Sequence, residues 1–166
     1  MRELHDIVEC LCDEDGSARV VTFEHCSWNG VEQLITCLRA SFEGYTATYT
    51  DEGVTTNPSP TSVVTSLQEK GIGHLVFHTG VGLMRHLQIW ASSENPERPL
   101  VEALFFPDEI NKKDLRANFL EWASQMCTRL EAIRYYARYE NWSWTVGDIG
   151  PGSLVFLVSS EPESDA

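Results

Sequence analysis

The sequence predicts a single α+β domain, with a mostly antiparallel sheet of about six to seven strands covered by two or three helices. Short stretches rich in β-branched and aromatic residues recur with turn signals between them. Three other segments place apolar residues at spacings of three and four, the period of a half-buried helix. The chain has 166 residues, 42% of them hydrophobic and 22% charged, which suits one packed core and is too apolar for a disordered chain. No internal repeat or linker divides it, so one domain is expected over residues 1–160, with 161–166 as a frayed acidic tail.

The first fifteen residues are acid-rich and end in Asp13-Glu14-Asp15-Gly16, which reads as a turn. Residues 18–24 are β-branched and aromatic and form the first expected strand. Asn29 is expected to cap the first helix, its side chain accepting from the Glu32 amide, with Val31, Leu34, Ile35, Leu38 and Phe42 as the buried stripe and Gly44 as the stop. Residues 45–50 alternate as a strand, and Asp51-Glu52-Gly53 opens a polar loop that ends at Pro58. Ser59-Pro60 starts a short second helix, with Val63, Val64 and Leu67 inward and Gly71 as its stop.

Residues 74–79, 84–91 and 100–106 read as three strands of an antiparallel meander. The longest helix spans 112–129, with Leu115, Phe119, Trp122, Met126 and Leu130 on the face that should cover the sheet. From Ile133 the period changes to two: Ile133, Tyr135, Ala137 and Tyr139 alternate with Arg134, Tyr136, Arg138 and Glu140. A last, fully apolar strand is expected at 154–158.

Twenty-five acidic residues against 12 basic give a formal net charge of −13, a field that repels phosphate backbones and anionic lipid and disfavours direct nucleic-acid or membrane binding. Such acidity either keeps a cytosolic protein soluble or matches a basic protein partner, raising the encounter rate and rejecting wrong partners. Cys10, Cys12, Cys26, Cys37 and Cys127 are an odd, scattered set. With no signal-like apolar run at the start and no stretch near the roughly 20 apolar residues of a membrane span, a cytoplasmic location with reduced thiols is expected. The sequon at Asn141-Trp142-Ser143 then carries no meaning.

The candidate chemistries are weak. On one strand His74 and His78 share a face, but their Cα atoms would lie roughly 13 Å apart, too far to share an ion, and His86 and the Cys10-Leu11-Cys12 pair add no ligand spacing. Asp108, Glu109 and Lys112 resemble the carboxylate and lysine set of metal-dependent nucleases only in composition, since all are expected in one turn that opens a helix. There is no nucleophile elbow, and Gly71-Ile72-Gly73 and Gly80-Val81-Gly82 read as turns. No catalytic residue, metal or cofactor is expected, although a small hydrolase using carboxylates or His78 stays an alternative.

The densest aromatic and charged stretch is 135–148, with Tyr136, Arg138, Glu140, Trp142, Trp144 and Asp148 as candidate partner contacts. It reads either as a strand that closes the core or as an exposed surface of interface anchors, one reading for each face. Tyr136-Ala137-Arg138-Tyr139-Glu140-Asn141, Trp144 and Gly147-Asp148 within it, together with residues 152–158 beyond it, resemble a family of immunity proteins encoded beside bacterial polymorphic toxins and type VI secretion effectors. The resemblance covers the last third of the chain. It implies a compact α+β domain of the producing cell that binds and neutralises a cognate toxin, often one with a restriction-endonuclease-like nuclease domain, and catalyses nothing. The acidic residues Asp13, Glu14, Asp15, Asp51 and Glu52 are candidates for steering such a partner on charge alone. An adaptor that loads a secreted effector without inhibiting it is the other binding alternative.

Overall fold

The computed structural model describes residues 1–50, 53–93, 95–140 and 155–159. They form one nine-stranded sheet in which every pairing is antiparallel, with four helices. The strands are β1 (Arg2–Glu3), β2 (Arg19–Glu24), β3 (Phe42–Thr48), β4 (Thr55–Thr56), β5 (Ile72–Gly80), β6 (His86–Ser92), β7 (Leu100–Phe105), β8 (Arg134–Tyr139) and β9 (Val155–Val158). The helices are α1 (Ile7–Cys12), α2 (Trp28–Ser41), α3 (Pro60–Lys70) and α4 (Leu115–Arg129). Strand order is β1-β9-β8-β2-β7-β6-β5-β3-β4.

The expected meander is present as β5-β6-β7, three strands consecutive in the chain and adjacent in the sheet. The sheet has more strands than the six to seven expected. The two extra pairings are the two-residue edges β1 and β4, too short to leave a periodic signal. The additional helix is α1: Asp6 caps it by accepting from the Glu9 amide at 2.9 Å, and Ile7, Cys10 and Leu11 point inward. Its acidic residues mask that pattern in the sequence.

Helix boundaries differ where tertiary contacts overrule local preference. Ser27, not Asn29, caps α2, accepting from the Gly30 amide at 2.9 Å, while the Ser27 amide donates to the Leu130 carbonyl. Phe42 leaves the helix and opens β3, where it packs on Phe77 with ring centroids 5.5 Å apart, so Gly44 lies within a strand. Ser59, Pro60 and Gly71 behave as expected at α3, with Gly71 in the left-handed region at φ 85°. Pro107–Glu109 form a separate 3-10 turn, and α4 begins only at Leu115. Asp108 and Glu109 therefore do not open that helix. Ile110, between the 3-10 turn and α4, forms an isolated bridge with Met84.

One face of the sheet carries the core. A register row crosses it through Ala47, Leu75, Ile89, Ala103, Val21, Ala137 and Leu157, all buried. The inward residues of all four helices belong to the same apolar cluster as this row, so the helices cover this face together. The alternate strand residues point to the opposite face.

Candidate partner-binding face

The face that none of the described helices covers, hereafter the helix-free face, is built by the same register. One row runs Thr48, His74, Trp90, Glu102, Thr22, Tyr136 and Val158, and the next runs Thr46, Val76, Gln88, Leu104, Val20 and Arg138. Its two halves differ. On β2, β7 and β8 it is closed by charge pairing: Arg138 donates to Glu102 at 2.8 Å, Thr22 donates to the same carboxylate at 3.0 Å, and Arg134 pairs with Glu24. Tyr136 is fully buried there, with the Arg134 guanidinium 5.3 Å from its ring and a small apolar cluster of Val155 and Val158 beside it. Burial pushes the Tyr136 phenol up to about 12, with the Glu24 carboxylate adding to the effect.

The half formed by β3, β5 and β6 is open. Trp90 is 39% exposed and stacks on His74 with centroids 4.0 Å apart, and His74 Nε2 lies 2.9 Å from Gln88 Oε1. Ile72 is 41% exposed and sits one pair further along β5. His78 faces His86 across the two strands. In a chain of net charge −13, the described side chains that β5 and β6 turn to this face include no carboxylate. An aromatic, nearly neutral patch of this kind is where protein interfaces place their anchors.

The expected contact residues fall in three groups. Tyr136 and Arg138 lie on the helix-free face but in its closed half, the first buried and the second paired with Glu102. Asp13, Glu14, Asp15 and Glu140 form the second group, of which Asp13 and Asp15 bind Arg19 and Glu140 binds the adjacent Ala18. That arginine is fully buried on the helix side of β2, where its Nε donates to the Cys10 carbonyl at 2.6 Å and its other nitrogens reach Asp13, Ser17 and Asp15. Its guanidinium lies 4.0 Å from the centroid of the Tyr139 ring, and the Tyr139 hydroxyl donates to Asp13 Oδ2 at 3.2 Å.

Asp15 also accepts from the Ser17 hydroxyl and amide, bonds that hold its carboxyl below the usual range, with Arg19 adding to the effect. Glu140 Oε2 accepts from the Ala18 amide at 3.3 Å. Asp13, Asp15 and Glu140 therefore have structural work, whereas Glu14 is exposed and, among the described residues, pairs with Lys112 at 3.7 Å. Asp51, Glu52, Trp142, Trp144 and Asp148 lie outside the described residues.

Sequence reasoning passed over Trp90 and weighed His74 only as a metal ligand. The signal was available: Leu87, Ile89 and Ala91 alternate with His86, Gln88 and Trp90, which assigns the latter three to the face away from the core. An apolar concavity lies on the other side, between α2 and α4. It is a groove of about 580 Å³ with Leu34, Leu38, Phe42, Met84, Trp122 and Met126 in its wall and no histidine or carboxylate among its lining residues. No described helix is long and apolar enough to cross a membrane.

No protein-family model matches the chain, and no curated protein matches it significantly. Among solved structures it is similar to a chain in the crystal structure of the toxic C-terminal tip of CdiA from Pseudomonas aeruginosa in complex with immune protein. The TM-score is 0.58 at 12% sequence identity, over 86% of this chain and 94% of that one. Nearly the whole length thus shares the α+β fold of a component of a toxin and immune-protein complex.

Proposed function

We propose that this chain is an immunity protein: it binds a cognate toxin of a contact-dependent or related secretion system, holds it inactive by direct contact, and catalyses no reaction itself. The observation that carries the reading is the fold shared with a component of a toxin and immune-protein complex over 86% of the chain. Charge favours the inhibitor over the toxin within such a pair, because a net charge of −13 suits a protein that covers a basic partner and opposes one that must approach nucleic acid itself. A basic nuclease domain is the toxin class that fits. The cytoplasm of the producing cell is the compartment in which this protection is needed.

The open half of the helix-free face, centred on Trp90 and His74, supplies the anchor, and exposed carboxylates such as Glu14 supply steering. Two experiments test the reading. The first expresses the C-terminal domain of the large reading frame beside this one, with and without this chain, and scores survival. Rescue is the expected result. Death in both arms would point to an adaptor, and growth arrest by this chain alone would make it the toxin; either outcome removes the reading. The second is association kinetics: Glu14→Gln should slow association at low salt and flatten its salt dependence, leaving dissociation unchanged.

A further inference from the structure

Two of the five histidines oppose each other directly. His78 on β5 and His86 on β6 are register partners on the helix-free face, with ring centroids 4.9 Å apart and ring planes at 69°. The spacing argument against a shared ion holds along one strand and not across two, because opposed residues lie far closer than residues four apart on the same strand. His74 is not part of the pair, since its ring is committed to Trp90 and its Nε2 to Gln88.

We propose that His78 and His86 form a two-histidine chelate for a divalent transition-metal ion of the Cu²⁺, Ni²⁺ and Zn²⁺ class. Two imidazoles that each hold an ion at about 2.0–2.1 Å, at angles between about 90° and 109°, place their ring centroids roughly 4.5–5.2 Å apart. The observed 4.9 Å lies within that interval. Binding would turn one nitrogen of each ring toward the common point by side-chain rotation; His78 is exposed and His86 half-buried, so both rings are reachable by a hydrated ion. On β3 the residue opposite His78 is Gly44, and the side-chain amide of Asn57 lies over that glycine. Among the described residues no third histidine, cysteine or carboxylate completes a cluster, which leaves the remaining coordination positions to water. Imidazole nitrogen donors with open positions favour Cu²⁺ over Ni²⁺ and Zn²⁺.

The test is a titration of the tag-free, chelator-stripped chain with Cu²⁺, followed by calorimetry and by electron paramagnetic resonance. One ion per chain with two nitrogen couplings is expected. His78→Ala and His86→Ala should each weaken uptake by about tenfold or more, while His74→Ala leaves it unchanged. Because His78 is exposed, His78→Gln keeps the fold if an alanine variant does not, and it should lose the ion equally. Absence of saturable one-to-one uptake, wild-type affinity in His78→Gln or His86→Ala, or an equal loss in His74→Ala would overturn the assignment. The proposal stands independently of the toxin partner.

Discussion

A guanidinium without exposed surface is stable only where its N–H groups find acceptors, and Arg19 finds them in the carbonyls of Cys10, Asp13 and Ser17 and the carboxylate of Asp15. Two of those carbonyls close the C-terminal end of α1, so one side chain ties that helix to β2. Arg19→Met should lower unfolding free energy by about 3 kcal/mol in urea titration, because the carbonyls are left without donors.

Asp15 responds to pH through the same cluster. Its folded carboxyl is lowered, first by the Ser17 hydroxyl and amide, so its stabilisation is present above the unfolded value and disappears as pH falls through the folded one. Asp15→Asn should accordingly flatten the acid limb of melting temperature against pH below about pH 4. Cys26 gives the opposite limb. Burial pushes its thiol up from 9.0 to about 12, so the native thiol should resist alkylation at pH 8 while the less buried Cys12 and Cys37 react, and its contribution to stability should fade only as pH rises from 9.0 toward 12. In the sequence Arg19 was one residue of an expected strand. Which strand positions face the helices depends on β2 pairing with both β7 and β8, whose paired residues are 78 or more positions away in the chain, which no local pattern encodes.

Among the elements, α2 and α4 meet closely enough to constrain a residue type. A Cβ built on Gly30 would sit 2.6 Å from the Leu130 carbonyl carbon and oxygen, both backbone atoms that cannot swing aside. Gly30→Ala should therefore cost about 2 kcal/mol or more despite alanine's better helix propensity, whereas Ser59→Ala, which removes only the α3 cap, should cost about 1 kcal/mol. Denaturant titration of the two variants separates packing from capping. The α3 boundaries were legible because cap, proline and glycine all lie within the element. The start of α2 was not, since Ser27 and Asn29 are equally able caps and the choice is made by the Leu130 carbonyl, contributed from the end of α4. The end of α2 was misplaced for a similar reason: pairing of Phe42 with Gly80 and its packing on Phe77 outweigh one more helical turn.

For the whole molecule, the antiparallel α+β plan and the β5-β6-β7 meander follow from alternation and turns, while the sheet order does not. The strand that follows α4, β8, pairs with β2 and β9, and the segment from 135 to 139 is thereby divided as its period of two suggests: Tyr135 and Ala137 toward the helices, Tyr136 and Arg138 away from them. Its aromatic density made it the most visible candidate surface, yet Tyr136 is buried and Arg138 is paired. Among the described residues the most exposed aromatic is Trp90, whose neighbours on the surface come from β5 and β7 and are invisible to a reading of its own strand.

The central claim is that this chain inactivates a toxin by docking through the open half of its helix-free face. The most direct measurement titrates the purified toxin domain with this chain and with Trp90→Ala, following toxin activity. Inhibition complete at one chain per toxin is predicted for the native sequence, with the Trp90→Ala variant weakened by about 2 kcal/mol, roughly 30-fold in Kd and mainly through faster dissociation. Undiminished toxin activity at a molar excess of this chain, or inhibition by Trp90→Ala with native affinity, would contradict it.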